Sequence, residues 1–388
     1  MRILQVIPVF SAPFGGPVTV VRSISKELAK KHEVTVYTTS ALDHRRDFKD
    51  SPLAVKSDGY RVVYFPRIFR FSGFNVSPAM ARALKETLSE FDIVHLHSWR
   101  HFQDTIVHHY AKKYGVPYVL QAHGSLPRIM TKQRLKWIYD VFFGYRLLRD
   151  ASKVVALSRM EAEQCRGMGV PEEKIEVIPN GIDLSEYDNL PPKGSFRKKF
   201  NIPEDKRIIL FLGRIHKTKG INFLIKAYVH LINDMRLNDA ILVIAGPDDG
   251  YLNEVESLAH SLRLTDNVLF TGLLTEKDKK CVLVDSSLVV YPSPVEPFGL
   301  VALEAAASAK PIIVSNNTPM ATIIKKGKFG FSVNHGDIDE LVESMGKMLN
   351  NDELLRDMGR KGRKFVFENY NWARIVTELE KAYEEIVK

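Results

Sequence analysis

The sequence predicts an α/β fold of two Rossmann-like, doubly wound domains facing across a cleft, and three observations carry that expectation. Short apolar runs alternate with helix-period segments from end to end, the pattern of parallel sheets flanked by helices. The chain has 388 residues, too many for one ordinary core and suited to two domains of about 180. The alternation starts afresh at Ile208, after a polar stretch from Asn180 to Asn201 whose Pro191-Pro192 and Gly194 read as a linker. The expected domains are residues 1–185 and 186–370.

In the first half the strands read as Ile3 to Val9, Val34 to Thr38, Arg61 to Phe65, Ile93 to His97, Tyr118 to Ala122, Val154 to Leu157 and Ile175 to Ile178. The opening run, MRILQVIPVFSAPFGG, is too short to span a membrane and lacks a small-residue cleavage site, so it reads as the first strand. In the second half they read as Ile208 to Leu212, Ile241 to Ala245, Val268 to Thr271, Ser287 to Tyr291, Pro311 to Val314 and Gly330 to Val333. Residues 371–388 align Trp372, Ile375, Leu379, Tyr383 and Ile386 along one helical stripe. That stripe has to be buried, and we expect it to pack back on the first domain.

Composition narrows the class. An apolar fraction of 45% and a charged fraction of 26% are those of a soluble globular chain. Cys165 and Cys281 fall in different halves, which predicts reduced thiols and a cytoplasmic protein. The net charge of +9 is unevenly placed: residues 1–185 hold 27 Lys+Arg against 18 Asp+Glu, and the remainder is balanced. A basic half predicts either an anionic partner, such as the inner face of a membrane, or mere solubility. No recognisable nucleic-acid motif accompanies it.

The run PSPVEPFGLVALEAAASAKP, Pro292 to Pro311, carries the most chemistry. Glu296 sits in the loop after an apolar strand, and Phe298-Gly299-Leu300 opens a helix that contains Glu304 about one turn in. The free amides of a helix N-terminus can hold a diphosphate without a metal, while the two carboxylates accept hydrogen bonds from sugar hydroxyls. Together they suit a nucleotide-sugar. Ligands of wound sheets bind beyond the carboxyl ends of the strands, and other candidates fall there: Gly15-Gly16, His123, Arg214 and Lys219 of GRIHKTKG, and Gly246. Arg214 and Lys219 would form paired cations for a leaving diphosphate.

Two tempting readings are set aside. His95 and His97 share a strand face but lack a carboxylate or cysteine to complete a metal set. Asp337-Ile338-Asp339 resembles a metal-binding acidic pair, yet Glu340 and the Leu341, Met345, Leu349 stripe behind it read as a helix cap. Residues 128–149 interleave arginines and lysines with Trp137, Phe142, Phe143 and Leu147. We expect a helix lying on the sheet with snorkelling cations, its basic side remaining as a headgroup contact.

These segments, with DIVHLHS, QAHGS, ALSRMEAEQC, KIEVIPNGID and VIAGPDDG, resemble the retaining glycosyltransferases of family 4, which have the GT-B fold. The resemblance covers nearly the whole chain. It implies that Glu296 contacts the donor sugar and Glu304 the ribose, that Arg214 and Lys219 hold the diphosphate, and that His123 lies near the sugar's 6-hydroxyl. Gly15 and Gly16 match the N-terminal glycine loop, and Phe298, Gly299 and Leu300 match the phosphate-facing backbone. The family's frequent Ala-Gly and Gly-Gly-x-x-Glu are here Ser308-Ala309 and Thr318-Pro319 with Thr322.

The resemblance implies hexosyl transfer from a nucleoside diphosphate sugar to an acceptor hydroxyl, with configuration retained and neither metal nor cofactor required. The first domain would take the acceptor, a glycan, glycolipid or lipid-linked sugar, and the second the donor. A nucleotide-sugar epimerase and a non-catalytic nucleotide-sugar or lipid-binding module remain the alternatives.

Overall fold

A computed structural model describes residues 1–11, 15–42, 47, 53–71, 74–128 and 132–388. The chain divides into two compact units, Met1–Gly181 with Trp372–Lys388, and Ile182–Asn371.

The first unit holds β1 (Arg2–Val6), β2 (Glu33–Thr39), β3 (Leu53–Ser57), β4 (Tyr60–Phe65), β5 (Phe69–Phe71), β6 (Phe74–Val76), β7 (Ile93–Leu96), β8 (Tyr118–Gln121), β9 (Lys153–Ala156) and β10 (Ile175–Val177). Its main sheet runs β10-β9-β8-β7-β1-β2-β4-β3, parallel except for β3, while β5 and β6 form a separate ribbon. The strand order reverses between β1 and β7, so their carboxyl ends leave a crevice that no crossover fills. Central strands are apolar on both faces because helices cover both, and all four residues of β7 are buried, His95 included.

The second unit holds β11 (Arg207–Leu212), β12 (Ala240–Ala245), β13 (Val268–Gly272), β14 (Ser286–Tyr291), β15 (Ile312–Ser315) and β16 (Gly330–Val333). All are parallel in the order β13-β12-β11-β14-β15-β16, with the reversal between β11 and β14. Beyond β11 and β12 the backbones nearly touch. A Cβ on Gly246, whose φ is +148°, would stand 1.9 Å from the Gly213 carbonyl oxygen, so only glycine fits.

Two expectations are corrected. The stretch from Asn180 to Asn201 is not a free linker: from Ile182 it belongs to the second unit, where Tyr187 and Phe196 are buried. Its short helix Ser195–Phe200 is fixed by the buried Asp285 carboxylate, which accepts from the amides of Gly194 (2.5 Å), Phe196 (2.8 Å) and Arg197 (3.1 Å). The basic-aromatic segment also departs from its expected packing. Residues 129–131 lie outside the described residues; from Gln133 to Asp150 the chain is helical with a π-turn at Asp140–Gly144, yet Trp137, Phe142 and Phe143 face solvent. Leu147 is buried as expected.

The final helix, Trp372–Val387, belongs to the first unit and packs against the helix Gly16–Leu28. Trp372, Ile375, Leu379 and Tyr383 are buried, and Tyr383 Oη lies 2.6 Å from His95 Nδ1. Glu380 receives Lys31 Nζ at 2.9 Å and His32 Nε2 at 3.0 Å. Trp372→Ala should cost the first unit about 3–5 kcal/mol, whereas Tyr383→Phe, which removes one hydrogen bond, should cost about 1 kcal/mol. Urea unfolding followed by far-UV circular dichroism measures both, and equal losses would contradict the packing described.

Candidate active site

In the second unit the reversal between β11 and β14 collects the predicted carboxylate and one predicted cation. β14 ends at Tyr291, and the loop that follows carries Glu296. Lys219 comes from the 3₁₀ turn Lys217–Lys219 beyond β11. Its Nζ lies 2.7 Å from Glu296 Oε2, and Tyr291 Oη donates to the same oxygen at 2.8 Å. The Lys219 ammonium also stands over the Tyr291 ring, 5.5 Å from its centroid. Burial, then the Glu296 charge, holds the Tyr291 hydroxyl well above its ordinary range, so it stays a proton donor. The two loops are tied together: Ser293 Oγ lies 3.0 Å from the carbonyls of both Thr218 and Val295.

Arg214 is placed differently from expectation. Its side chain is 59% exposed and its Nη1 pairs with Asp249 Oδ2 at 2.5 Å. The two cations therefore form separate ion pairs, one with Asp249 and one with Glu296, rather than a joint clamp. An exposed pair of this kind contributes little to stability and is readily exchanged for a ligand.

The helix Leu300–Ala307 starts at Gly299, whose φ of +91° is left-handed and whose Cβ would crowd Met320 Cγ at 3.2 Å. The Leu300 and Val301 amides have no carbonyl one turn back, which leaves donors at the head of the helix, whereas the Ala302 amide donates to the Gly299 carbonyl at 3.0 Å. Phe298 is a core side chain, so the backbone of this turn rather than the ring is what it offers. Glu304 lies beyond the first turn with Oε1 3.1 Å from Lys279 Nζ. Burial raises the Glu304 carboxyl above its ordinary value, and Lys279 offsets part of that rise. Asp337 caps its helix by accepting from the Glu340 amide at 3.0 Å, as its spacing predicts.

In the first unit the carboxyl ends of β1, β7 and β8 border a cavity of 310 Å³ lined by Pro8, Pro17, Arg67, His97, Trp99 and His123 among others. Gly15 precedes the helix that Gly16 opens, and Pro17 of that turn lines the cavity. Sequence reasoning missed the support behind His123. His97 Nε2 is hydrogen-bonded to Gln5 Oε1, which can only accept, so Nε2 donates and the neutral ring leaves His97 Nδ1 as the acceptor. His123 Nε2, 3.2 Å away, therefore carries its proton toward His97, and His123 Nδ1 is left as an acceptor. His95 lies against His97 with ring centroids 3.9 Å apart and the planes tilted by 37°. The signal was the alternation that puts His95 and His97 on one strand face, and their partners are a tyrosine and Gln5-His123 rather than a metal set. Among the described residues no group of three or more His, Cys, Asp or Glu is arranged to hold a metal ion.

Tyr291 and Lys279, which complete the two carboxylate sites, carried no motif, although a tyrosine ending an otherwise apolar strand was a visible polar signal. Cys165 and Cys281 are buried free thiols.

Lost hydration lowers His123 to about 4 and holds His95 and His97 well below their ordinary value, with neighbouring rings adding to the effect on the latter two. The unfolded chain regains a value near 6.5. Between pH 6.5 and 4 it therefore binds more protons than the native state, and stability falls as the pH drops through that window. His123 alone should account for a loss on the order of 3 kcal/mol by pH 4. Thermal melting against pH should show a shallower acid limb for His123→Asn, and an unaltered limb would refute the neutral ring.

Comparison with known proteins places the chain in a family. The model for glycosyl transferases group 1 matches residues 192–365, and that for glycosyltransferase family 4 matches residues 14–186. A Methanocaldococcus jannaschii glycosyltransferase, MJ1607, is 30% identical over 76% of each chain. The alpha-monoglucosyldiacylglycerol synthase of Streptococcus pneumoniae is 26% identical over 85% of this chain and 74% of its own. Anabaena HepE, solved with UDP and glucose, superimposes with a TM-score of 0.81 at 18% identity, covering 99% of this chain and 100% of its own. With both halves matched and one fold shared end to end, the chain belongs to the group 1, family 4 glycosyltransferases of the GT-B fold.

Proposed function

We propose that the protein transfers a hexosyl group from a nucleoside diphosphate sugar to an acceptor hydroxyl with retention of configuration. The observation that carries this reading is the Glu296 carboxylate, held by Lys219 and Tyr291 just ahead of the amide-bearing head of the helix Leu300–Ala307. A sugar needs an oriented acceptor and a diphosphate needs donors, and one loop supplies both. The second unit is assigned the donor and the first the acceptor. The UDP and glucose of the HepE structure make uridine diphosphate sugars the first donors to try. The name of the pneumococcal relative favours a lipid or glycan acceptor in glycolipid or polysaccharide assembly.

In this reading Glu296 fixes the sugar, Glu304 takes the ribose hydroxyls, and His123 Nδ1 accepts from a sugar hydroxyl. Arg214 and Lys219 exchange their carboxylate partners for the diphosphate, supported by the Gly299-Leu300 backbone, while Gly246 keeps the floor of the site low. The acceptor oxygen bonds to the anomeric carbon as the bond to the β-phosphate oxygen breaks. The acceptor's proton passes to that departing oxygen on the same face, so no covalent enzyme intermediate and no metal are needed. The protein works in the cytoplasm on this account; among the described residues no helix is long and apolar enough to cross a membrane.

Donor screening by thermal shift with uridine, guanosine and adenosine diphosphate sugars identifies the ligand. With that donor, Glu296→Gln, Lys219→Ala and Arg214→Ala should each lower kcat/KM by about a hundredfold or more, and chelators should leave the rate unchanged. Nuclear magnetic resonance of the product reads the anomeric configuration. Wild-type turnover in all three variants, or an inverted product, would overturn the assignment. Epimerised donor formed without acceptor would replace transfer by an isomerase activity, and binding without any conversion by a carrier role.

A further inference from the structure

Among the described residues sixteen large apolar side chains are exposed, and seven of them fall between Leu135 and Tyr145. The helical stretch from Gln133 to Tyr145 is amphipathic in the reverse of the usual sense, and only beyond it do Leu147 and Leu148 turn into the core. Leu135, Ile138, Phe142 and Tyr145 repeat at helical spacing along the solvent side, flanked by Trp137, Val141 and Phe143. Trp137 is 54% exposed and Phe142 64%. Toward the protein the same stretch turns a carboxylate, Asp140, which is fully buried and held by the Arg100 guanidinium through Nε at 2.9 Å and Nη2 at 2.8 Å.

The inversion is built rather than frayed. The π-turn at Asp140–Gly144 inserts an extra residue per turn and presents Val141, Phe142 and Phe143 together on the outside. Gly144 lies against Trp99, where a Cβ would stand 3.0 Å from the indole. Arg100 also donates to the carbonyls of Ser125 at 2.6 Å and Leu126 at 2.7 Å, clamping the helix to the loop that follows His123. Stripping water from this outer face would gain far more than the scattered apolar contacts of an ordinary surface.

Charge selects the occupant. Lys132, Arg134, Arg146 and Arg149 are exposed at the ends of the aromatic stripe, and the one acid between Lys132 and Arg149 is the buried Asp140. Tryptophan, tyrosine and phenylalanine flanked by arginine and lysine match the boundary between anionic headgroups and acyl chains. A second copy matches poorly, because a two-fold contact would set the same cations against one another. We propose that this face docks on an anionic lipid bilayer, the helix lying in the plane of the interface with Trp137, Phe142 and Phe143 inserted. The proposal does not depend on the donor chemistry.

Trp99 and Trp372 are buried, so Trp137 dominates any change in tryptophan emission. Vesicles of phosphatidylcholine containing about a third phosphatidylglycerol should shift that emission to the blue and carry the wild type down on sedimentation, with pure phosphatidylcholine much weaker. The triple variant Trp137→Ser, Phe142→Ser, Phe143→Ser should lose about tenfold or more in partitioning. Arg134→Gln and Arg146→Gln should each lose about fivefold, and only with the anionic vesicles. No blue shift and no sedimentation of the wild type would overturn the proposal. So would light scattering that shows a dimer dissolved by the triple variant, since the face would then belong to a second copy. An unchanged thermal midpoint in the variants shows that the fold survives these surface changes. The readout needs no nucleotide sugar, so failure here leaves the transfer reading standing, and failure of transfer leaves this one.

Discussion

The arrangement of the second unit depends on one carboxylate oxygen with two donors. Glu296 Oε2 accepts from Lys219 and from Tyr291, which arrive from the ends of two neighbouring strands. Neither donor is placed by local sequence. The reversal of strand order makes β11 and β14 adjacent and leaves the space beyond their ends uncovered. Two loops that would otherwise be strangers are thereby set side by side and stitched by Ser293. The close approach of Gly213 and Gly246 lowers the adjoining floor in the same way. A parallel sheet thus supplies a rigid edge, and the chemistry is what its loops leave unsatisfied there.

The strands of both sheets were legible wherever burial on two faces forced a continuous apolar run. β3 was not, because it is an exposed edge strand with no such run: LAVKS is half-buried at its two ends and exposed at the three residues between. Its turn was readable in principle, since Asp58 and Gly59 both take positive φ and an Asp-Gly pair is a strong hairpin signal. The stretch after Asn180 misled for a different reason. Proline, glycine and charge describe its surface, whereas its place is decided by Phe196 in the core and by Asp285, about ninety residues away, capping its helix.

Helical periodicity has the same blindness in the basic-aromatic segment. A stripe at helical spacing says that one side differs from the other, not which side faces inward. The usual inference turns the aromatics toward the core because hydrocarbon normally outbids charge for burial. Here Asp140 meets a guanidinium in two-pronged geometry, so the buried charge is matched and the penalty of its burial is offset. Once that pair is seated, the aromatic stripe has no choice but the outside. The residue that decides the matter, Arg100, lies forty positions upstream at a left-handed φ of +67° that no pattern rule anticipates. Motifs located Glu296, Lys219 and His123 because their chemistry is local to a loop. The partners that orient them are products of the fold.

The same distinction bears on how the first unit keeps a histidine useful. An imidazole offers an acceptor only while it is neutral and only from the nitrogen that lacks the proton. Its place beside His95 and His97 meets the first condition: charging either of those buried rings is opposed by lost hydration and by neighbouring rings, and charging His123 by lost hydration. Gln5 meets the second, since its carbonyl oxygen fixes the proton on His97 and, through it, the proton on His123. The lone pair on His123 Nδ1 is therefore set by a residue of β1 that never needs to touch a ligand. A side chain there with no acceptor would leave the His97 tautomer unfixed, and the orientation of the lone pair would be lost before any contact with substrate was made.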